Sequence, residues 1–341
     1  MTTINDVARL AKVSTATVSR VLHDIGNVKQ ATRDRVMNAV EALNYQPNIL
    51  ARQFRTKETR SIVVVFPDIT SPFYSKVLLG IEAVAHRYNY QVLLGNTRND
   101  PEKEYQYLDL LKQKQVDGMI LLTSRIDQAD VVELASQFPI VLAGDYFEGL
   151  QVPMVAIDNI SGARKMTEHL INQGHERIAF FSGPMYRNFS KDRFKGFRQA
   201  LVNHNLQVCE DYILEGNYTI DSGYALTLKI LELNLRPTAI FASNDQMAVG
   251  AIKAAQDMGL RVPEDLAIVG FDDIDMASIC EPELTTIAQP KHVIGEQAME
   301  LLYQQMMNIP LSKPHFILDG KLIIRESCGK SFECNRLHQV K

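Results

Sequence analysis

From residue 61 onward, short apolar runs alternate with amphipathic helical stretches, and this alternation restricts the possible folds more than any other feature. The first group of predicted elements comprises strands over 62–66, 91–94, 119–123 and 140–143 and helices over 73–88 and 102–114. Continuous apolar strands separated by helices form a parallel sheet that is covered on both faces. The pattern therefore predicts a doubly wound α/β lobe.

The same alternation recurs further along the chain, so a second lobe of similar construction is expected. Its predicted strands are 177–181, 239–242 and 267–270, and its predicted helices are 193–203 and 245–258. Parallel sheets bind ligands at the carboxyl ends of their strands, and two lobes imply a cleft between them. We therefore expect a two-lobed core with a ligand site in its cleft.

The first 45 residues show short helical patterns instead. Three apolar stripes at helical spacing follow one another: Val7, Ala8 and Ala11; Val18, Val21 and Leu22; and Val36, Ala39, Val40 and Leu43. Ser14 is placed to cap the second helix through its hydroxyl. Three helices in fewer than fifty residues, with a four-residue break between the first two, predict an all-α helix-turn-helix head.

Residues 47–60 are predicted to form a hinge helix and a linker. Pro47 suits the first position of a helix that extends to Arg55. Such a helix has about two turns, which is below the ~12–15 residues that an isolated helix needs in water. We therefore expect its order to depend on a binding partner.

Charge is distributed unevenly along the chain. The first 60 residues contain ten Lys or Arg and five Asp or Glu, whereas the remainder contains 26 basic and 35 acidic residues. A basic head on an acidic body suggests that the head binds a polyanion. A chance excess of charge on a solvated face explains the numbers equally well, so the choice depends on other features.

Several classes of protein are excluded or disfavoured by composition and motifs. Hydrophobic residues make up 46% and charged residues 22%, which is the balance of a soluble globular protein. Apolar runs are shorter than the ~20 residues of a membrane span, and the N-terminus lacks a signal peptide, so a cytoplasmic protein is expected. Nucleotide-binding, zinc-protease and hydrolase motifs are absent, and the four cysteines have no C-x-x-C spacing. We expect no enzymatic activity, no cofactor and no metal.

The second predicted helix has the chemistry of a DNA-reading element. It begins Ser14-Thr15-Ala16-Thr17 and continues to Arg20. Short hydroxyl side chains at a helix N-terminus suit phosphate contacts. Methyl groups of Thr15 and Ala16 can meet thymine methyls, and Arg20 can donate two hydrogen bonds to a guanine edge. Each residue alone is explained as well by helix capping, but together with the basic head they favour DNA binding.

Ordered motifs extend over residues 3 to about 327. They occupy 4–8, 13–22, 42–48, 67–74, 174–178, 243–245, 262–266, 270–273 and 282–287. With these motifs the chain resembles the LacI family of bacterial transcription repressors. The head and Pro67-Asp68-Ile69 are most similar to the cytidine-type branch, and Arg187-Asn188 is similar to the purine-type branch.

The resemblance implies a homodimer that binds a pseudo-palindromic double-stranded operator. It implies a head over 1–46, a hinge helix and linker over 47–60, and a core over 61–328 similar to periplasmic sugar-binding proteins. The chain is expected to cross between the lobes near residues 159, 290 and 319, and the tail over 329–341 is expected to be disordered. Lys12 stands where many members have glycine, so a positive φ there costs roughly 1 kcal/mol.

DNA-binding residues follow from the resemblance position by position. Thr15, Ala16 and Arg20 are implied to read major-groove bases. Residues implied to contact or flank the DNA backbone are Ser14, Thr17, Ser19, His23, Thr32, Tyr45 and Asn48. The hinge, with Ala51 and Phe54, is implied to enter the minor groove, where Phe54 replaces the usual leucine wedge.

Effector-binding residues are implied in the same way. They are Phe73, Tyr74, Asp145, Arg187, Arg193, Tyr218, Asn244, Asp272 and Gln289. Aromatic faces stack on a sugar or a base, whereas Arg193 and Asp272 are expected to bind hydroxyls from opposite lobes. Alternatives are an interlobe salt bridge for Arg193, a strand-end cap for Asp272 and core packing for Phe73.

Two functions compete at this point. The first is a DNA-binding repressor whose operator affinity is controlled by a small molecule, either a nucleoside or base, or a sugar. The second is a cytoplasmic small-molecule-binding module or an enzyme that carries a nucleic-acid tether. The basic head and the hinge favour the first.

Overall fold

The computed structural model describes residues 2–22, 25–46, 58–146, 149 and 151–329. The chain forms two compact units, Met1–Thr59 and Arg60–Lys341. The predicted hinge helix and the predicted tail beyond Gly329 lie outside the described residues. Among the residues that are described, no helix combines the length and apolar character that crossing a membrane requires.

The N-terminal unit is a three-helix head. Its helices are α1 (Ile4–Ala11), α2 (Thr15–Leu22) and α3 (Gln30–Ala42). Val7, Val18 and Val36 are completely buried where the three helices meet. Ser14 Oγ accepts a hydrogen bond from the backbone N–H of Thr17 at 3.2 Å, so Ser14 caps α2. The predicted helix-turn-helix architecture is confirmed.

The larger unit contains two lobes, and the first is built on a six-stranded parallel sheet. Its strands are β1 (Ser61–Phe66), β2 (Gln91–Asn96), β3 (Gly118–Leu121), β4 (Ile140–Ala143), β5 (Met154–Ile157) and β11 (His315–Leu318), in the order β11-β5-β4-β3-β1-β2. The helices of this lobe are α4 (Pro72–Arg87), α5 (Pro101–Lys112), α6 (Gln128–Gln137) and α11 (Lys291–Met306).

Alternate residues of β1 enter two separate apolar cores on opposite faces of this sheet. Ile62 and Val64 pack on the side of α4 and α11. Val63 and Val65 pack on the other side, against Leu108 of α5. Because both faces are covered, the strand is apolar at every position after Ser61, which explains the run seen in the sequence.

The second lobe is built on a four-stranded parallel sheet. Its strands are β6 (Ile178–Ser182), β7 (Ile213–Glu215), β8 (Ala239–Ala242) and β9 (Ala267–Val269), in the order β7-β6-β8-β9. Its helices are α7 (Asn159–Asn172), α8 (Asn188–Asn203), α9 (Ile220–Leu231) and α10 (Asp245–Asp257). Phe180 and Phe181 of β6 again enter different cores on the two faces. The predicted fold class, two doubly wound parallel lobes, is confirmed.

The chain passes from the first sheet to the second after β5, returns after β10 (Thr286–Ala288), and leaves again after β11. The last passage forms β12 (Lys321–Ile323), which pairs with β10 in an antiparallel ribbon. The alternation of apolar runs does not predict this ribbon, because its two strands have only three residues each. The parallel strands all end toward the cleft, which is where the candidate ligand residues lie.

Candidate functional site

A cavity of about 390 Å³ lies between the lobes at the carboxyl ends of the strands, and we call it the cleft cavity. Eight of the nine predicted effector residues line it: Phe73, Tyr74, Arg187, Arg193, Tyr218, Asn244, Asp272 and Gln289. The ninth, Asp145, directly follows the lining residue Gly144. A volume of this size suits a small organic molecule.

Arg187 lines the cleft cavity and carries buried hydrogen-bond donors that are only partly used. Its side chain precedes α8, is 6% exposed, and donates from Nη2 to Asn99 Oδ1 at 2.6 Å. Among the residues that the structure describes, its buried Nε and Nη1 atoms have no hydrogen-bond partner. Buried donors without partners are costly, so the geometry is suited to a ligand that supplies acceptors.

Arg193 is held by several groups of its own lobe. Its Nε donates to Asn159 Oδ1 at 2.9 Å, and its Nη1 donates to the backbone carbonyl of Ser243. Its Nη2 lies 3.4 Å from Asp272 Oδ1, and the guanidinium stacks 3.7 Å from the ring centre of Phe271.

The expectation that Arg193 and Asp272 reach the ligand from opposite lobes is wrong. Arg193 lies in α8 and Asp272 follows β9, so both belong to the second lobe and form a buried ion pair. The alternative of an interlobe salt bridge is wrong for the same reason. Gln289 Nε2 also donates to Asp272 Oδ1, at 2.6 Å. Burial raises the pKa of Asp272, while the neighbouring Arg193 and Lys291 oppose that rise.

Tyr218 is fixed in the cleft by its neighbours. Its backbone has a positive φ of 69°, and its carbonyl accepts a hydrogen bond from Asn244 Nδ2 at 3.0 Å. A Cβ atom on Gly183 would lie 1.9 Å from the ring, so only glycine permits this ring position. Asn244 also caps α10 by accepting a hydrogen bond from the N–H of Met247. Because the cap fixes Asn244 and its Nδ2 bonds to the Tyr218 carbonyl, Asn244 is a positioning residue for Tyr218.

The first lobe contributes an aromatic pair. Phe73 and Tyr74 follow Pro72 in the first turn of α4, with ring centres 5.3 Å apart in an edge-on arrangement. The Tyr74 hydroxyl lies 2.9 Å from Thr123 Oγ1. Phe73 both lines the cleft cavity and packs on the apolar core of the first lobe.

Tyr146, the residue after Asp145, connects the lobes. Tyr146 donates from its hydroxyl to Asp192 Oδ2 at 2.7 Å, and its carbonyl accepts from Asn188 Nδ2 at 2.7 Å. Both partners lie on α8 of the second lobe. Burial raises the pKa of Asp145 to about 7, against the opposing effects of the Tyr146 N–H and the Arg187 charge.

In the head, the residues implied to read bases are available to a partner. Ser14, Thr15, Ala16 and Arg20 are exposed, while Val18 and Val21 on the opposite side of α2 are buried. Thr17 and Ser19 are partly buried, and so are Thr32 in the first turn of α3 and Tyr45 after it. His23, Asn48, Ala51 and Phe54 lie outside the described residues.

Several cleft residues were missed by sequence reasoning. Asn99, Tyr186 and Phe189 all line the cavity. Asn99 has a positive φ of 60° directly before the Asp100-Pro101 start of α5, and this turn after a strand was a usable signal. Phe189 was missed because α8 was predicted to begin at residue 193, whereas it begins at Asn188.

Comparison with known proteins identifies the class of protein that this head and core define. Residues 3–48 match the family of bacterial regulatory proteins, lacI family, and residues 167–328 match the periplasmic binding protein-like domain. HTH-type transcriptional repressor CytR of Escherichia coli strain K12 is 41% identical over 326 residues, covering 95% of this chain and 96% of the relative. Catabolite control protein A of Priestia megaterium is 43% identical, covering 95% and 98%.

Solved structures support the same family assignment. The lac repressor dimer bound to operator and the anti-inducer ONPF superposes with a TM-score of 0.88 at 29% identity, covering 96% of this chain and 99% of that one. The chain belongs to the lacI family of bacterial regulatory proteins and is a DNA-binding transcriptional regulator. The predicted family is confirmed, and a repressor of the purine-type branch is also among its relatives. Of the two competing functions, the enzyme or tethered binding module is disfavoured, because the relatives are repressors.

Proposed function

We propose that this protein is a homodimeric repressor whose operator affinity is set by a nucleoside or nucleobase bound in the cleft cavity. The observation that carries the effector proposal is the buried Arg187 guanidinium, whose Nε and Nη1 have no partner among the described residues. A base carbonyl oxygen accepts hydrogen bonds from such a fork. The nearby rings of Tyr186 and Phe189 lie 5.4 and 5.7 Å from this guanidinium and offer apolar faces to a planar ligand.

A second group of cleft residues is suited to hydroxyl groups. Asp272, Gln289 and Arg193 form a hydrogen-bonded cluster, with every side chain buried. A carboxylate accepts from ribose hydroxyls, and an amide oxygen or a guanidinium complements them. A nucleoside uses this cluster and Arg187 at once. A free sugar is the second candidate, since it uses this cluster without requiring Arg187.

We assign operator contacts to the head. Thr15, Ala16 and Arg20 are the proposed base-reading residues, because they are exposed on one side of α2. Ser14, Thr17, Ser19, Thr32 and Tyr45 are proposed to position the head on phosphates. For His23, Asn48, Ala51 and Phe54 the proposal depends on the family resemblance alone. The proposed boundaries remain a head over 1–46, a hinge and linker over 47–60, and a core over 61–328.

Exposed apolar side chains support the dimer. Leu79 of α4 is 52% exposed, and Leu93 and Leu94 of the edge strand β2 are 44% and 45% exposed. An edge strand with exposed apolar residues is a surface on which another chain can pair. We propose a cytoplasmic location as well, since a dimer that binds operator DNA works where that DNA is.

A ligand screen tests the effector proposal. Thermal stability of the full chain is measured with nucleosides, nucleobases and sugars, because a ligand of the folded state raises the melting temperature. We expect stabilisation by a nucleoside or base that is lost in Arg187→Ala. Stabilisation by a sugar that persists in Arg187→Ala identifies the second candidate instead. Operator titration with and without the bound compound then shows whether it weakens or strengthens repression.

A further inference from the structure

A second cavity of about 1050 Å³ opens on the second lobe, at the opposite end of its sheet from the cleft cavity. Most of its lining comes from segments that precede β6, β9 and β10, at the amino ends of the strands, and residues 326–329 complete it. Leu260, Val262, Pro263 and Pro282 give it a half-buried apolar lining. We call this surface the tail groove.

Exposed carboxylates surround the apolar lining of the tail groove. Glu264, Glu281 and Glu326 are all exposed residues of its wall. None of them forms an ion pair with a Lys or Arg in the part of the chain that the structure describes. The arginine of the groove, Arg261, is already engaged by Asp265 through its Nε at 3.0 Å and its Nη2 at 2.9 Å. The groove is therefore complementary to a segment that is basic and contains apolar side chains.

The chain supplies such a segment at the edge of the groove itself. Gly329, the last residue before the segment 330–341, is part of the groove wall and turns the chain with a φ of 80°. The segment contains three basic side chains, Lys330, Arg336 and Lys341, against one acidic side chain, Glu333. Its apolar side chains are Phe332, Leu337 and Val340.

We propose that residues 330–341 bind in the tail groove of their own chain, with Phe332 on the apolar lining and Arg336 and Lys341 beside the glutamates. Phe332 is three residues beyond Gly329, so it reaches any point within about 10 Å of the groove wall. A covalently attached segment has an effective concentration near the millimolar range, which favours binding to its own chain over a neighbour. Neither the operator nor the effector proposal requires this interaction.

Zero-length carbodiimide cross-linking of the full-length chain tests the proposal directly, because it joins an amine and a carboxylate only when they are in contact. We expect cross-links from the Lys341 Nζ to Glu264 or Glu281, read by mass spectrometry. The matched reference sites are Glu210 and Glu232, which are exposed on the same lobe outside the groove. Cross-link yields to the groove that do not exceed those to the reference sites overturn the proposal.

A variant of the tail separates docking from random encounter. Phe332→Ala should lower the Lys341 cross-link yield about tenfold or more, because burial of the phenyl ring supplies most of the apolar contact. Gln339→Ala is the control and should change the yield by less than about twofold. Equal yields in both variants show that Phe332 does not anchor the tail.

Isotope mixing identifies which chain receives the tail. Dimers of mixed ¹⁵N-labelled and unlabelled chains should give cross-links between peptides of the same label. Cross-links that join labelled to unlabelled peptides show docking on the second copy, and overturn docking on the same chain. Hydrogen exchange of the Glu264 amide gives an independent readout: it should be several-fold faster in Phe332→Ala than in Gln339→Ala.

Discussion

Arg187 donates from Nη2 to Asn99 Oδ1 at 2.6 Å, and this bond links the second lobe to the first beside the cleft cavity. Asn99 follows β2 of the first lobe, whereas Arg187 precedes α8 of the second. Within the described residues, the Nε and Nη1 donors of the same guanidinium have no partner, which suits them to a ligand. A ligand that binds Arg187 therefore acts on a group that already connects the lobes, and it can favour one lobe arrangement over another.

Arg187→Ala should weaken effector binding by about 10- to 100-fold, because charge-assisted hydrogen bonds contribute about 1.5–3 kcal/mol. Operator affinity without effector should change less than effector affinity, because the head is untouched and only the interlobe bond to Asn99 is lost. Isothermal titration and gel-shift titration measure the two quantities. Arg187→Lys retains the charge without the planar fork and should also bind poorly. Arg198→Ala, an exposed position on α8, the helix that Arg187 precedes, is the control. Normal affinity in Arg187→Ala contradicts the assigned site.

Asp145→Asn should change how stability depends on pH. The unfolded carboxyl titrates near 3.8, whereas burial raises its folded-state pKa to about 7. Between these values the folded state keeps a proton that the unfolded state releases, so stability from this group falls as pH rises from about 4 to 7. The asparagine variant lacks this loss. Its free energy of unfolding should exceed that of the unmodified protein by a margin that grows over this pH range to at most about 4 kcal/mol and stays constant above pH 7. Denaturant unfolding at pH 4.5 and 7.5 measures it, and an equal difference at both values contradicts the assignment.

Arg193→Ala should destabilise the core by about 3–5 kcal/mol, because it leaves the buried Asp272 carboxylate without its cationic partner. The change also removes bonds to Asn159 and to the Ser243 carbonyl. Urea unfolding of the full chain measures the loss. Adding Asp272→Asn should recover part of the stability, since the second change removes the unpaired charge. A loss below about 1 kcal/mol would show that the pair is weakly coupled to folding.

Much of this fold could be predicted because its strands are buried on both faces. The runs at Ile62–Phe66 and Ile178–Phe181 are apolar at every position, as strands covered on both faces are. Helix starts were predicted less well. The sequence Asn188-Phe189-Ser190 shows no clear apolar stripe, so the predicted start of α8 is Arg193. The helix begins at Asn188 because Phe189 and Ser190 are buried by tertiary packing.

The cleft residues are predicted by the family resemblance, and the structure adds which of their side chains form hydrogen bonds and ion pairs with each other. Sequence spacing gives no distance between residues 193 and 272, so it could not show that they belong to one lobe. It also could not show that Arg187 bonds to Asn99, 88 residues earlier, because that contact depends on how the two lobes approach each other. Helix caps can be predicted from sequence, since Ser14 and Asn244 each accept a hydrogen bond from a backbone N–H only three residues away.

Arg20→Ala should lose about 1–3 kcal/mol of operator affinity at one base position in each half-site, if it donates two hydrogen bonds to a guanine. Arg20 is an exposed residue of α2. Titration against operators carrying every single-base change, at one salt concentration, measures the effect. Arg9→Ala is the control, because Arg9 pairs with Asp6 on α1. A uniform loss on all operators would instead assign Arg20 to a phosphate.

Lys12→Gly should stabilise the head. Lys12 ends α1 in the left-handed conformation, with φ 54° and ψ 48°. A side chain in this region costs about 1 kcal/mol relative to glycine, because its Cβ crowds the following carbonyl. The gain should be about 0.5–1 kcal/mol, since glycine also loses more entropy on folding. Amide exchange of Val7 and Val18, both fully buried, reports the opening of the head within the full chain. Lys12→Ala is the matched control: it removes the same charge but keeps the Cβ, and it should give no gain. If both variants slow exchange equally, the effect comes from the lost lysine charge and not from the backbone.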